Sequence, residues 1–245
     1  MARLQGEAAL VTGASAGIGR EAARALAKEG SDVALAARRE ERLLEIAEGI
    51  ESEYGVETLV RSTDVSDPEA VAAVVEETVE RFGGLDTVVA NAAVGTGQSV
   101  EEVPLEEYRA LMGVNVDGMF YTAREALPHL RSSAGNLIFV GSFAGQYPRP
   151  GSPLYAASKW WTRGFALSLA GAVGESGVAV TVVNPTEVRT EFGSGYRTPS
   201  KEVYDPGEVT EPETIADGIA FAAAQSAPDT VQELDLYRRD KFSGF

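Results

Sequence analysis

The chain has 245 residues, no cysteine, a single histidine, and 37 acidic against 21 basic residues, which gives a formal net charge of −16. So acidic a chain is repelled by nucleic acid and by anionic membrane surfaces, and without cysteine it forms neither disulfides nor thiolate metal sites. One histidine is too few for a typical zinc centre, so we expect no metal.

The length suits one sizeable core, and no linker or internal repeat divides the sequence, so we expect a single domain over residues 1–245. No apolar run is long enough to span a bilayer, and Glu7 interrupts the stretch that would have to be the apolar part of a signal peptide. We therefore expect a cytoplasmic protein that has neither nucleic acid nor a membrane as a partner.

Short runs rich in β-branched residues alternate with longer helical patterns, which is typical of a doubly wound parallel α/β sheet. The predicted strands cover residues 7–12, 32–37, 57–63, 85–91, 135–142, 178–184 and 230–236, and the predicted helices cover 17–30, 40–54, 68–82, 101–132, 154–175 and 213–225. Right-handed crossovers bring the carboxyl ends of such strands to one edge of the sheet. We expect a single active site along that edge.

A glycine-rich turn, TGASAGIG, joins the first predicted strand to the first helix. Gly13, Gly17 and Gly19 allow a tight bend and a close approach of the backbone to a pyrophosphate, while the helix N-terminus offers unpaired N–H groups to phosphate. The spacing is G-x-x-x-G-x-G, which differs from the usual G-x-G-x-x-G dinucleotide fingerprint. By itself such a turn is also compatible with an ordinary strand-to-helix connection.

The end of the second predicted strand bears on the choice of cofactor. Enzymes that select NAD place an Asp or Glu there, which accepts hydrogen bonds from the ribose 2′-OH and would repel a 2′-phosphate. Here the position is Ala37, and Arg38 and Arg39 follow it. Because a guanidinium binds phosphate through paired hydrogen bonds, we predict NADP rather than NAD, with Arg38 as the principal contact and Ser15 as a second. The alternative is that both arginines begin a solvated helix face.

Tyr155 and Lys159 lie four residues apart in YAASK, thirteen residues after Ser142. On a helix the two side chains share one face, and an ammonium beside a phenol lowers the phenol pKa from about 10 toward the range of a general acid or base. An isolated pair of this kind is more often an ordinary surface pair. Ser142 does not fit a hydrolase, because Val140 stands where a G-x-S-x-G elbow needs glycine.

Together these motifs resemble the short-chain dehydrogenase/reductase family, and the resemblance extends over nearly the whole chain. The family landmarks recur in order, at TGASAGIG (12–19), Asp64-Val65, Asn91-Ala92-Ala93, Asn115, Ser142, Tyr155 with Lys159, and Asn184-Pro185. Ala93 and Thr186 stand where the family usually has glycine. The resemblance implies a Rossmann fold with a seven-stranded sheet and helices on both faces, and an NADP-dependent oxidoreductase acting on the CH–OH group of a small secondary alcohol, or on the matching carbonyl.

The resemblance also implies roles for individual residues. Tyr155 would exchange a proton with the carbonyl oxygen, Ser142 would donate a hydrogen bond to it, and Lys159 would support the tyrosine and hold the nicotinamide ribose. Asn115 would anchor a water that leads protons to the lysine. The implied cofactor-binding residues are Gly13, Ser15, Gly17, Ile18, Gly19, Arg38, Arg39, Asp64, Val65, Asn91, Ala92, Tyr155, Lys159, Pro185, Val188 and Thr190.

The substrate is the least determined part of the prediction. Residues 190–213, rich in Gly, Pro and Ser, read as a short lid over the substrate. The GQYPRPGSPLY, TEF and QELDLY segments look most like the family branch that oxidises serine and other small 3-hydroxy acids with NADP. The candidate substrate-binding residues are Ser142, Tyr155, Arg149 and Arg197. The two arginines are the candidate partners of a substrate carboxylate. Neutral ketones or aldehydes, 3-oxoacyl groups, and a non-catalytic NADP-binding sensor or scaffold are the alternatives.

Members of this family usually pair through the helices that hold Asn115 and Tyr155. Trp160 and Trp161 follow the tyrosine and suit a surface buried against a second copy. We therefore expect a homodimer or homotetramer. The alternative is that both tryptophans lie in the core of one chain.

Overall fold

The computed structural model describes residues 2–193 and 197–243. Within them, one sheet contains seven strands, β1 (Ala8–Thr12), β2 (Asp32–Ala37), β3 (Thr58–Ser62), β4 (Thr87–Ala90), β5 (Asn136–Val140), β6 (Ala179–Pro185) and β7 (Glu233–Leu236). All neighbours are parallel, in the order β3-β2-β1-β4-β5-β6-β7. The order of the strands reverses between β1 and β4, which is where open α/β sheets bind their ligands.

Helices cover both faces of this sheet. The described residues form α1 (Gly17–Lys28), α2 (Glu40–Tyr54), α3 (Pro68–Phe82), α4 (Leu105–Met112), α5 (Gly118–Ser133), α6 (Pro153–Val173), α7 (Ser200–Val203) and α8 (Pro212–Ala223). Helices α1, α2 and α8 pack on one face, and α3, α5 and α6 pack on the other. The predicted doubly wound sheet, a Rossmann fold, is confirmed.

Side chains of each central strand alternate between two apolar cores. In β2, Val33 and Leu35 pack under α1 and α2, while Ala34 and Ala36 face α3. This follows from the two-residue period of a strand, and since both faces are covered, the strand reads as one continuous apolar run. The parallel sheet is therefore held from both sides, and its carboxyl edge is left for the site.

Local signals set the ends of the helices. At the start of α3, the Asp67 carboxylate accepts a hydrogen bond from the main-chain N–H of Glu69, and Pro68 occupies the first turn. The helix ends at Gly83, whose φ of +80° is the left-handed conformation that glycine adopts most easily. Such caps explain why the prediction for this helix has the observed bounds.

The predicted helix over 101–132 is wrong as a single element. Pro104 precedes its actual start at Leu105, and residues Gly113–Asp117 form a π-helical turn between α4 and α5. The wider turn coincides with Asn115, whose side chain binds both the N–H and the C=O of Val94. These bonds tie the turn to the loop after β4, which a search for helical periodicity does not detect.

The predicted lid also has more structure than its composition suggests. Its described part contains α7, and Val188 pairs with Thr210 in a short parallel bridge. The main-chain N–H of Lys201 donates to the carbonyl of Thr190 at 3.1 Å, which folds the segment back on itself. Residues 194–196 of the predicted lid lie outside the described residues. None of the helices described is both long and apolar enough to cross a membrane.

Candidate active site

A cavity of about 1080 Å³ opens at the carboxyl edge of the sheet. The carboxyl ends of the first six strands and the loops after them reach it, through Gly13, Arg38, Asp64, Asn91, Ser142 and Pro185 in that order. The predicted site residues all line this cavity except Asn115 and Gly19. We call the part lined by Ser142 and Tyr155 the tyrosine end, and the part lined by Ser15, Arg38 and Arg39 the arginine end.

Tyr155 and Lys159 lie one turn apart near the start of α6, as their spacing predicts. The lysine is 1% exposed, its Nζ donates a hydrogen bond of 2.7 Å to the carbonyl of Val140, and it lies 5.9 Å from the centroid of the tyrosine ring. Burial lowers the pKa of Lys159 to about 8, because a charge is costly away from water. The ammonium of Lys159 therefore lies close to the Tyr155 ring and loses its proton more readily than that of an ordinary lysine.

Ser142 begins a short helical turn over Phe143–Gly145 after β5. Its Oγ accepts a hydrogen bond of 3.1 Å from the main-chain N–H of Ala144. Accepting that bond fixes the side chain and leaves the hydroxyl hydrogen to donate elsewhere. Since Ser142 lines the cavity beside Tyr155, two hydroxyl groups can meet the oxygen of one bound carbonyl compound.

Asn115 lies behind the cavity and not on its wall. The side chain is fully buried, and its Nδ2 donates to the carbonyl of Val94 at 2.9 Å and to Oγ of Ser158 at 3.1 Å. Ser158 donates in turn to the main-chain carbonyl of Tyr155. Both amide hydrogens are thus used to join the π-helical turn to the loop after β4 and to α6. This is a positioning role, and the expected contact with a water remains a prediction.

The glycine-rich turn is shaped so that side chains would not fit. A Cβ on Gly13, whose φ is +68°, would lie 2.7 Å from Nδ2 of Asn91, and one on Gly19 would lie 2.3 Å from the carbonyl oxygen of Gly13. The first residue of α1 follows Ala16, which provides no side-chain cap. Gly17 and Ile18 of the first turn line the cavity, and N–H groups of a first helical turn have no partner within the helix, so the chain fits the pyrophosphate of a dinucleotide there.

At the arginine end, Arg39 and not Arg38 contacts Ser15. The Nε and Nη2 atoms of Arg39 lie 3.1 and 2.9 Å from Oγ of Ser15. Arg38 also lines the cavity, and its charge acts on Asp64. Burial alone would raise the pKa of Asp64, but hydrogen bonds from Ser66 and the charge of Arg38 outweigh it and lower that pKa. Both arginines line the part of the cavity where a 2′-phosphate is expected, and Arg38 as its principal contact stays a prediction.

Ser200, which the sequence reading missed, organises the loop after β6. Its Oγ lies 2.5 Å from the carbonyl of Val188 and 3.0 Å from the main-chain nitrogen of Thr190. Both of those residues were predicted to meet the nicotinamide. Thr186, at a position where glycine is usual, has a buried Oγ1 that makes no hydrogen bond to the residues described. The contact between Ser200 and Thr190 joins residues ten positions apart, so no local sequence pattern indicates it.

The two predicted anion-binding arginines, Arg149 and Arg197, line the cavity and are exposed, and we call this exposed part of the tyrosine end its mouth. The guanidinium of Arg149 lies 5.6 Å from the ring centroid of Phe143, and its Nη2 lies 3.4 Å from Oε1 of Glu187. Arg197 lies 5.6 Å from the ring centroid of Phe192. Both arginines line the cavity, and Glu187 was not predicted.

Glu187 is held mainly by Lys241. The Nζ atom of this lysine, whose side chain is 8% exposed, lies 2.6 and 2.9 Å from the two carboxylate oxygens. Burial raises the pKa of Glu187, but the hydrogen bond from Lys241 and the nearby charge of Arg149 outweigh it, so the net pKa is lowered. The acid is therefore charged at neutral pH, and its charge is largely balanced by Lys241, which leaves Arg149 as an available cation.

Comparison with known proteins gives consistent results. The family model described as short chain dehydrogenase matches residues 7–200. Sulfoacetaldehyde reductase 2 of Chromohalobacter salexigens is 35% identical over 244 residues, covering 96% of each chain. Trans-4-hydroxycyclohexanecarboxylate dehydrogenase of Sinomonas cyclohexanicum is 31% identical over 230 residues, covering 92% of this chain and 88% of that one. A short chain dehydrogenase from Burkholderia cenocepacia in complex with NADP has a TM-score of 0.86 at 30% identity, covering 96% of this chain and 98% of its own.

Proposed function

The chain belongs to the short-chain dehydrogenase family of oxidoreductases, and from that premise we propose that it transfers a hydride between NADP(H) and a small alcohol or carbonyl compound that carries a carboxylate or sulfonate. Small 3-hydroxy acids are included in this class. The observation that carries the proposal is the arrangement of Ser142, Tyr155 and the buried Lys159 on one wall of the cavity, with two arginines at its mouth.

In this reaction the nicotinamide supplies or accepts the hydride when it is bound. Tyr155 donates a proton to the carbonyl oxygen in reduction and removes it in oxidation. Ser142 donates a hydrogen bond to the same oxygen, which stabilises the negative charge that develops there. The ammonium of Lys159, 5.9 Å from the tyrosine ring centroid, favours the anionic form of the phenol and so assists the proton transfer.

The cofactor contacts follow the shape of the cavity. The turn at Gly13 and Gly17 and the N-terminus of α1 would hold the pyrophosphate. Ser15 and Arg39, which already contact each other, would hold the 2′-phosphate with Arg38 beside them. The implied contacts of Asp64 and Val65 with adenine, of Asn91 and Ala92 with ribose, and of Pro185, Val188 and Thr190 with the nicotinamide remain part of the proposal. The NADP complex of the Burkholderia structure supports this choice of cofactor.

An acidic substrate is supported by Arg149 and Arg197, because a guanidinium binds carboxylate and sulfonate through paired charge-assisted hydrogen bonds. The names of two relatives agree with this reading, since sulfoacetaldehyde carries a sulfonate and 4-hydroxycyclohexanecarboxylate carries a carboxylate. The rings of Phe143 and Phe192 also line the cavity, and they favour neutral carbonyl compounds as the second candidate class.

The test is an assay of NADPH oxidation and NADP reduction with matched substrates, such as 3-oxo acids and sulfoacetaldehyde against neutral aldehydes of the same size. We expect a lower KM for the acidic substrates, and we expect Arg149→Ala and Arg197→Ala to raise KM for these substrates alone, by about tenfold for a lost charged hydrogen bond. Equal activity on neutral carbonyls would discard the acidic substrate. Tight NADPH binding without turnover on any substrate would favour the sensor.

We also propose that two or four copies of the chain associate through α4, α5 and α6. Large apolar side chains on these helices are exposed to water. Trp160 is 46% exposed, Tyr108 and Phe120 are exposed to a similar extent, and Leu105 is exposed more. Trp161 is partly buried within the chain and stacks on Phe165, with the ring centroids 4.8 Å apart, which fits the alternative given for the tryptophans. The mass in solution, measured by light scattering, decides between a monomer and the proposed oligomer. The cytoplasmic location stays a prediction.

A further inference from the structure

The carboxylate of Glu191 joins three cations at the arginine end of the cavity. Its Oε2 atom lies 2.7 Å from Nη1 of Arg42 and 3.3 Å from Nη1 of Arg39, and its Oε1 atom lies 3.0 Å from Nζ of Lys201. Arg39 precedes α2, Arg42 lies in the first turn of α2, and Lys201 lies in α7. One acidic side chain therefore links the loop after β6 to the loop after β2.

Arg39 lies between two partners of different kinds. The Nε and Nη2 atoms on one edge of its guanidinium contact the hydroxyl of Ser15, and Nη1 on the other side contacts Glu191. The longer of the two arginine contacts to Glu191 is the one from Arg39. The side chains of Arg39 and Glu191 are 48% and 30% exposed, and ion pairs this accessible to water are weak enough to exchange partners.

We infer that Glu191 is a specificity-determining residue for the cofactor, because it competes with the 2′-phosphate of NADP(H) for Arg39 and so limits the preference for NADP(H) over NAD(H). The inference rests on the proposed function, in which Ser15 and Arg39 hold that phosphate. A 2′-phosphate at this position adds negative charge beside the Glu191 carboxylate and draws on the same guanidinium. The 2′-hydroxyl of NAD(H) is neutral, so it leaves the contact between Arg39 and Glu191 in place.

Glu191 keeps cationic partners when Arg39 binds a phosphate instead. When Arg39 turns to a phosphate, Arg42 and Lys201 still neutralise Glu191. The hydrogen bond from Arg42, together with a weaker effect of the one from Lys201, lowers the pKa of Glu191 to about 2, although partial burial acts in the opposite direction. The carboxylate is therefore charged at neutral pH. The competition is therefore between two anions for one guanidinium, and its strength must fall as salt is added.

The test uses Glu191→Gln, which keeps the size of the side chain and one acceptor oxygen and removes its charge. Calorimetric titration of the full chain gives the Kd of NADPH, NADH, 2′,5′-ADP and 5′-AMP. We expect NADPH and 2′,5′-ADP to bind roughly two- to fivefold more tightly to the variant, which is the weight of an exposed ion pair, while NADH and 5′-AMP bind as they do to the wild type. The gain should shrink in 1 M KCl.

Two further variants separate competition from a general effect of charge. Glu213→Gln removes an exposed carboxylate from the wall of a neighbouring cavity of about 340 Å³ that Arg42 and Glu191 also line, and it should leave all four Kd values unchanged. In an Arg39→Ala background, Glu191→Gln should no longer improve NADPH binding, since the shared guanidinium is gone.

Tighter binding of NADPH and NADH to the same extent, or the same gain from Glu213→Gln, would overturn the inference. Weaker NADPH binding by Glu191→Gln would overturn it as well, because Glu191 would then be holding Arg39 in place for the phosphate. A wild-type protein that binds NADPH no better than NADH would contradict the proposed use of NADP. Even then, a gain confined to NADPH and 2′,5′-ADP in Glu191→Gln would support the role of Glu191, so the two failures are distinguishable.

Discussion

The two ends of the cavity are built in different ways. At the tyrosine end, Tyr155 and Lys159 belong to one helix, and the lysine is buried against a main-chain carbonyl. At the arginine end, Arg39 and Glu191 come from segments 152 residues apart and meet in an ion pair that water reaches. The first arrangement is fixed by one helix and its packing, whereas the second depends on where two loops meet. Substitutions should therefore have large effects at the tyrosine end and graded ones where exposed charges meet.

The largest expected effect is that of Tyr155→Phe. Removing the hydroxyl removes the proton donor while leaving the ring that packs against Phe192 at 5.5 Å. We expect kcat to fall roughly 10²- to 10⁴-fold, which is the usual weight of a general acid or base, with the Kd of NADPH nearly unchanged. Steady-state kinetics and calorimetry on the same preparation measure the two quantities.

Tyr204→Phe is the matched control, because it removes another phenol from the wall of the same cavity. Its kcat should stay close to that of the wild type. If Tyr155→Phe kept most of the activity, the assignment of Tyr155 as proton donor would be wrong, and the contrast between the two ends would lose its main support.

Lys159 gives the next largest effect, in the pH dependence of stability. Burial lowers the pKa of Lys159 to about 8, whereas a lysine in an unfolded chain titrates near 10.4. Between these two values the unfolded chain binds more protons than the folded one, so the contribution of this group to stability rises with pH across the window. Below pH 8 both states are protonated, and the buried charge is a constant cost.

The measurement is the free energy of unfolding of the wild type minus that of Lys159→Met, taken from pH 7 to pH 10.5. We expect this difference to rise by at most about 3 kcal/mol, the equivalent of the full pKa shift. Lys28→Met, which changes an exposed lysine at the end of α1, should give a flat difference. A flat difference for Lys159 too would mean that water reaches its ammonium in the folded protein.

The contrast between the two ends also explains what the sequence could predict. The alternation of strands and helices, the glycine turn and the spacing of Tyr155 and Lys159 are local patterns, and each has a direct structural consequence. Asn115 was found through the family resemblance, but the π-helical turn around it was not, because its cause is a bond to Val94 on another loop. A helical period contains no information about such a bond.

The parts that were missed depend on contacts between distant segments. No local sequence pattern marks Glu187, Glu191 or Ser200. Glu187 pairs with Lys241, Glu191 pairs with Arg39, and Ser200 binds the loop after β6. The choice between Arg38 and Arg39 at Ser15 likewise depends on side-chain directions after β2. Charged residues on loops can pair in many ways, so their partners follow from the fold and not from spacing.

The smallest expected effect belongs to Lys241, whose ion pair lies just outside the tyrosine end. Lys241→Gln removes the cation that holds Glu187, and the carboxylate is then left to Arg149, whose Nη2 is already 3.4 Å away. With its guanidinium occupied, Arg149 should bind an acidic substrate less well. We expect KM for acidic substrates to rise about two- to fivefold, as for a weak ion pair, with no change for neutral carbonyls.

Arg239→Gln is the control, because it removes the same charge from an exposed position two residues away. An equal rise in KM for both variants would show that only the net charge near the cavity matters. A rise confined to Lys241→Gln, and reversed when Glu187→Gln is added, would show that Lys241 acts by keeping Glu187 away from Arg149. In that case the mouth of the cavity is tuned in the way that we infer for the arginine end, by one carboxylate shared among neighbouring cations.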